Sequence, residues 1–268
     1  MSTPKALVIG IDGVRYDTLL EARTPRLDAL AADGFLVQSP LYPRQPEPTV
    51  SGPGWSSVAT GVWPDRHLVR DNTLAGNDLA SHPDFLTRLT RSGRHTFAGL
   101  GWAPLGQIFG KEIDGRIVRD AVNEGFAEAD LWVLADAVDQ LGRRDLDAAF
   151  VYIGAVDECG HENGTGPAYT SAVEQADEQV GLLVGAVRSR ETYADEDWLV
   201  LAVTDHGHVD AGGHGGQSEV ERTSWLLASG SGVTRPDRTV EVVDIAPTVL
   251  THLGVPVDAD WRLDGTAL

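Results

Sequence analysis

Residues 198–203 (WLVLAV) form an unbroken apolar run, and polar residues take over at once in Thr204-Asp205-His206-Gly207-His208. A run of that length with β-branched members reads as a strand buried on both faces. Residues 6–11 (ALVIGI) repeat the pattern and end at Asp12, and residues 148–153 (AAFVYI) repeat it with Asp157 a few positions on. Shorter runs predict strands at 35–38, 96–100 and 224–229. Between them the period lengthens to that of a helix. Thr24-Pro25 places a cap before a proline at the first helical position, Leu27, Leu30 and Ala31 share one face, and Asp33-Gly34 marks the stop. Further helices are predicted at 82–93, 128–141, 169–187 and 243–254. The loop 43–53, with four prolines, feeds a helix opened by Pro53 and closed by Gly61, so Ser51 is placed just ahead of its N-terminus. Residues 101–119 show no clear period and read as a substrate-side loop. Strands alternating with helices predict an α/β three-layer sandwich, a mostly parallel central sheet with helices on both faces. Without a repeat, low-complexity tract or linker, one domain is expected across residues 1–268, without a large cap insertion.

Composition narrows the setting. Hydrophobic residues at 42% and charged residues at 23% are ordinary for a globular chain. Residues 1–11 do not resemble a signal peptide, and no uncharged apolar stretch is long enough for a bilayer. The single cysteine, Cys159, leaves no intramolecular disulfide, and a cytoplasmic location is expected. A net charge of −19 disfavours nucleic acid duplexes and anionic membranes. It also repels a small phosphorylated substrate, unless bound cations reverse the sign inside one cleft.

Three apolar runs deliver acids to the carboxyl edge of the expected sheet, where open α/β sheets bind ligands: Asp12, Asp157 and Asp205. His161 follows Asp157 by four residues, and His206 and His214 follow Asp205. Carboxylates gathered at one point require a cation, and mixed oxygen and nitrogen donors suit zinc, with manganese or iron as alternatives. Taken singly, each of these residues is equally a polar group at a strand end. Ser51 beside a helix start can favour an alkoxide or phosphate, or can simply cap. His67, His82, His95, His208 and His252 read as structural or surface groups. His208 is the nearest to a role, able to orient a ligand from behind. Trp55, Trp63 and Trp102 read as core. Cys159 would face away from Asp157 and His161 on a helix, and Ser56, Ser57 and Thr60 lie inside one.

The ordered set Ile11-Asp12-Gly13, Ser51-x-Pro53, Thr60-Gly61-x-x-Pro64-x-x-His67, Asp71-Asn72, Asp157-x-x-Gly160-His161, Thr204-Asp205-His206-Gly207, His214-Gly215 and 244–250 (DIAPTVL) resembles the alkaline phosphatase superfamily. Within it, the order is similar to type I phosphodiesterases and nucleotide pyrophosphatases, and it covers nearly the whole chain. The resemblance implies two metal sites, Asp12, Ser51, Asp205 and His206 for one ion and Asp157, His161 and His214 for the other. It also implies Ser51 as nucleophile through a phospho-Ser51 intermediate, with Asn72 donating to a phosphate oxygen. The expected activity is therefore two-metal hydrolysis of phosphate esters, diesters or nucleotide pyrophosphates ahead of monoesters. Phosphomonoester hydrolysis, phosphonate hydrolysis, sulfatase-like hydrolysis and a silent metal-binding scaffold are the rivals. Two departures stand out: serine replaces the usual threonine nucleophile, and Leu68 replaces the glycine that usually follows His67. Trp55 stands where a sulfatase modification motif would need arginine.

Overall fold

The computed structural model describes residues 2–143 and 145–268. Seven strands, β1 (Thr3–Ile11), β2 (Gly34–Pro40), β3 (Thr96–Leu100), β4 (Gly115–Val118), β5 (Ala148–Ile153), β6 (Glu196–Val203) and β7 (Thr223–Ser229), form one sheet in the order β2-β7-β6-β1-β5-β3-β4. Strand β7 runs antiparallel to both neighbours, and the other pairings are parallel. The helices are α1 (Tyr16–Glu21), α2 (Pro25–Ala32), α3 (Ser51–Thr60), α4 (Pro64–His67), α5 (Phe85–Arg91), α6 (Leu105–Ile108), α7 (Ala121–Glu124), α8 (Phe126–Leu141), α9 (Ala155–Asn163), α10 (Pro167–Arg188), α11 (Glu219–Arg222) and α12 (Ile245–His252).

Alternation along β1 explains the layers. Ala6 and Val8 point into a core with Trp55, Phe85 and Val249 from α3, α5 and α12. Leu7 and Ile9 point into a second core with Leu27, Val133 and Val180 from α2, α8 and α10. A strand covered on both sides has no polar face, which is why β1, β5 and β6 read as unbroken apolar runs. These three strands are neighbours at the centre, with Ile11 opposite Ile153 and Gly10 opposite Val203. Their carboxyl ends are therefore nearly flush, and the chain turns polar there.

Several local expectations change. Helix α3 begins at Ser51 rather than Pro53, so Ser51 is its first residue, with Val50 as the cap position. Residues 101–119 are not one loop: they hold α6 and the edge strand β4, too short to show a period. The helix expected from 82 starts at Phe85, because Asp84 caps it by accepting from Thr87 N–H at 2.9 Å. Helix α9 carries Asp157 in its first turn. Leu68, in the usual glycine position, ends α4 at φ +57° in the left-handed region, so the backbone demand for glycine persists there. Among the described residues no helix is long and apolar enough to cross a membrane.

Candidate metal centre

Strand β1 places Asp12 immediately beyond its last residue, β6 places Asp205 two residues beyond Val203, and α9 carries Asp157 back over the end of β5. Asp12 is aimed from behind: its Oδ2 accepts from Trp55 Nε1–H at 2.9 Å and Tyr152 O–H at 2.7 Å. Asp205 Oδ1 accepts from Gly13 N–H at 3.3 Å. No protein donor among the described residues reaches the remaining oxygens, Asp12 Oδ1 and Asp205 Oδ2, although both are buried. They lie 3.5 and 3.3 Å from His206 Nε2. Buried carboxylate oxygens facing each other without a donor are costly unless a cation joins them. Burial and the nearby Asp157 push the Asp12 carboxyl up to about 7, and burial and Asp12 hold Asp205 well above the carboxylate range. Asp12, Asp205 and His206 have donor atoms within 4.8 Å of one another, the spacing a bound ion requires.

Asp157 has the opposite surroundings. Burial alone would raise it, but hydrogen bonds from His161 and His208 outweigh burial and hold it below the carboxylate range. His161 Nε2 is 3.4 Å from Asp157 Oδ2, and His214 Nε2 is 3.5 Å from Oδ1. His161 and His214 meet at 3.0 Å through their Nε2 atoms. A second group with donors within 4.8 Å consists of Asp157, His206, His208 and His214. His161 lies beside that group, while His208, read from sequence as structural, lies inside it. The two groups abut where the His206 and His214 rings stack with centroids 3.7 Å apart.

Backbone carbonyls orient the imidazoles. His214 Nδ1 is 2.6 Å from Thr49 O, and His206 Nδ1 is 3.2 Å from Gly207 O. A carbonyl can only accept, so each Nδ1 carries the proton and each Nε2 presents a lone pair to the cluster. Burial keeps both rings below the usual histidine range and hence neutral.

Ser51 is buried at the start of α3, with Oγ 3.2 Å from His206 Nε2. Two glycines permit the approach. A Cβ on Gly54 would lie 2.9 Å from Asp205 Cβ, and one on Gly52 would lie 2.5 Å from Asp71 O. Gly52 N–H donates to Asn72 Oδ1 at 2.7 Å, which fixes the amide and leaves Asn72 Nδ2 free to donate beside Ser51. The structure therefore brings Asp12, Ser51, Asn72, Asp157, His161, Asp205, His206 and His214 to one place. Sequence reasoning missed the hydrogen bonds of Trp55 and Tyr152 to Asp12, which cross between elements and leave no local signal. His208 was read as structural but nearest to an orienting role; that its partner is Asp157, at 2.8 Å, was not legible. A hollow of about 930 Å³ lined by Gln38, Arg235 and Asp237 lies against outer strand β2 and holds none of these donors.

Sheet, acids and helix-borne serine together define an alkaline phosphatase-like α/β domain. Residues 6–252 match the model of type I phosphodiesterase / nucleotide pyrophosphatase. The chain belongs to that metal-dependent enzyme family. It is 29% identical to GPI ethanolamine phosphate transferase 2 of Aspergillus fumigatus, over 49% of the chain and 19% of that protein. Identity is 26% to human ectonucleotide pyrophosphatase/phosphodiesterase family member 7, over 77% of the chain and 48% of that protein. The chain thus spans less than half the length of either relative. Among solved structures it is similar to a 2-O GAG sulfatase (TM-score 0.76, 15% identity, 99% of this chain and 73% of that one). It is also similar to the phosphonate monoester hydrolase of Agrobacterium radiobacter (TM-score 0.67, 16% identity, 99% and 76%). At these identities the structural matches speak for the fold alone.

Proposed function

We propose that this protein cleaves phosphate esters, diesters or pyrophosphates in preference to monoesters, with two zinc ions and Ser51 as nucleophile. The observation that carries the reading is Ser51 Oγ at 3.2 Å from His206 Nε2, beside two buried carboxylate oxygens without donors. Asp12, Asp205, His206 and Ser51 would hold one ion, and Asp157, His161 and His214 the other. When bound, the ions supply charge neutralisation at phosphorus and favour the ionised Ser51 hydroxyl. Ser51 Oγ attacks phosphorus, the bond to the leaving oxygen breaks, and that oxygen takes a proton from solvent. Asn72 Nδ2 and the positive end of α3 stabilise charge on the non-bridging oxygens. Water then attacks the phospho-Ser51 ester, releases the phosphoryl product and restores the hydroxyl.

The test is turnover of bis-p-nitrophenyl phosphate against the p-nitrophenyl monoester, phenylphosphonate ester and sulfate by zinc-loaded protein. The diester is expected to lead. Ser51→Ala is expected to cut turnover by at least ~10³-fold, also at zinc concentrations that saturate both sites. Retained turnover in that variant removes Ser51 from the chemistry. A second reading is transfer to an alcohol instead of water, favoured by the ethanolamine phosphate transferases among the relatives. Partition of product between water and added ethanolamine separates the two.

A further inference from the structure

His208 is fully buried and neither of its ring nitrogens is free. Gly213 N–H reaches Nδ1 at 3.0 Å. A backbone N–H can only donate, so Nδ1 accepts and the ring proton sits on Nε2. That Nε2–H then donates to Asp157 Oδ1 at 2.8 Å. The ring sits in a slot walled by glycines. A Cβ on Gly13 would lie 2.8 Å from His208 Nε2, and one on Gly160 would lie 2.7 Å from its Cε1. Both glycines adjoin proposed ligands, Asp12 and His161. An imidazole locked in this way has no lone pair to offer an ion, although its atoms fall within the same 4.8 Å group as Asp157, His206 and His214.

We propose that His208 is a positioning residue rather than a metal ligand: it holds Asp157 Oδ1 through Nε2–H and turns Oδ2 toward the ion. The proposal rests on the two-ion reading above. Outer hydrogen-bond partners of this kind typically change metal affinity by roughly 10–100-fold.

Two substitutions separate the two ends of the ring. The amide of His208→Asn can still accept from Gly213 N–H but stops short of Asp157. The longer His208→Gln can place an N–H where Nε2 stands. The measurement is zinc affinity and stoichiometry by chelator competition, with the visible spectrum of the cobalt(II) form and circular dichroism of the metal-free protein. Expected for His208→Asn are two ions at saturation, one bound ~10–100-fold more weakly, and an unchanged cobalt(II) band intensity. His208→Gln is expected to recover most of that loss. Saturation at one ion, or a cobalt(II) spectrum showing a lost donor, would make His208 a ligand and overturn the proposal. Wild-type affinity in His208→Asn, with only a lower melting temperature, would make the residue merely structural and overturn it equally. Wild-type protein that binds no ion defeats the two-ion reading itself, an outcome distinguishable from both.

Discussion

Asp12 and Asp205 face each other across buried space with one oxygen each lacking a donor, whereas Asp157 is ringed by His161, His208 and His214. All three acids are buried at the end of the same sheet. Their ionisation nevertheless moves in opposite directions, up for Asp12 and Asp205 and down for Asp157. At the first corner, like charges and desolvation make a cation the missing partner. At the second, imidazoles already stabilise the carboxylate. One corner is therefore strained without a cation and the other is not: the groups around each acid, not its burial, set the direction in which its ionisation moves.

Matched substitutions test that contrast most severely. Asp205→Asn keeps an oxygen for Gly13 N–H and removes from the crowded corner a carboxyl whose ionised form is disfavoured there. Metal-free protein carrying it is expected to melt higher, by about 1–3 kcal/mol of stability, while zinc affinity at that corner falls by at least ~100-fold. Asp157→Asn is expected to weaken zinc as much but to melt lower by a similar amount, because His161 and His208 lose the anion they donate to. Scanning calorimetry in chelator decides it, and a lower melting temperature in both variants would break the comparison.

A smaller effect sharpens the same point through pH. Raised carboxyls must release protons before they bind an ion, so zinc affinity at the Asp12–Asp205 corner is expected to rise with pH. With Asp12 near 7, the affinity falls about tenfold for each pH unit below that value if one proton is displaced. His161, held above the usual histidine range by Asp157, adds a dependence of the same sign at the other corner. Titration calorimetry in buffers of different ionisation enthalpy counts the protons, and a flat profile between pH 6 and 8 contradicts the assignment.

The smallest effect supplies the control. Leu68→Gly relieves a left-handed φ of +57° at the end of α4 and is expected to stabilise the fold by about 1 kcal/mol, leaving zinc affinity untouched. Chemical denaturation with and without zinc measures both.

Much of this was legible without coordinates, and for a physical reason. A strand covered on both faces has to be apolar throughout, so β1, β5 and β6 announced themselves together with the acids that follow them. Strand β4 did not, because four residues at a sheet edge, including Arg116, carry no period. Ser51 was found, yet its position as the first residue of α3 was not, since Pro53 is the stronger local start signal. Trp55 was read as core and is core. That its indole N–H also holds Asp12 required the neighbouring element, as did the Tyr152 hydroxyl.

By itself the sequence determined the α/β class, the central strands and the inventory of acids and imidazoles, because hydrophobic period and residue order are local properties. Only the tertiary structure decided which oxygens of Asp12 and Asp205 lack a donor, which nitrogen of His206, His208 and His214 carries the proton and that His208 belongs with Asp157. Those are settled by donors and acceptors arriving from distant parts of the chain, and no spacing along it encodes their directions.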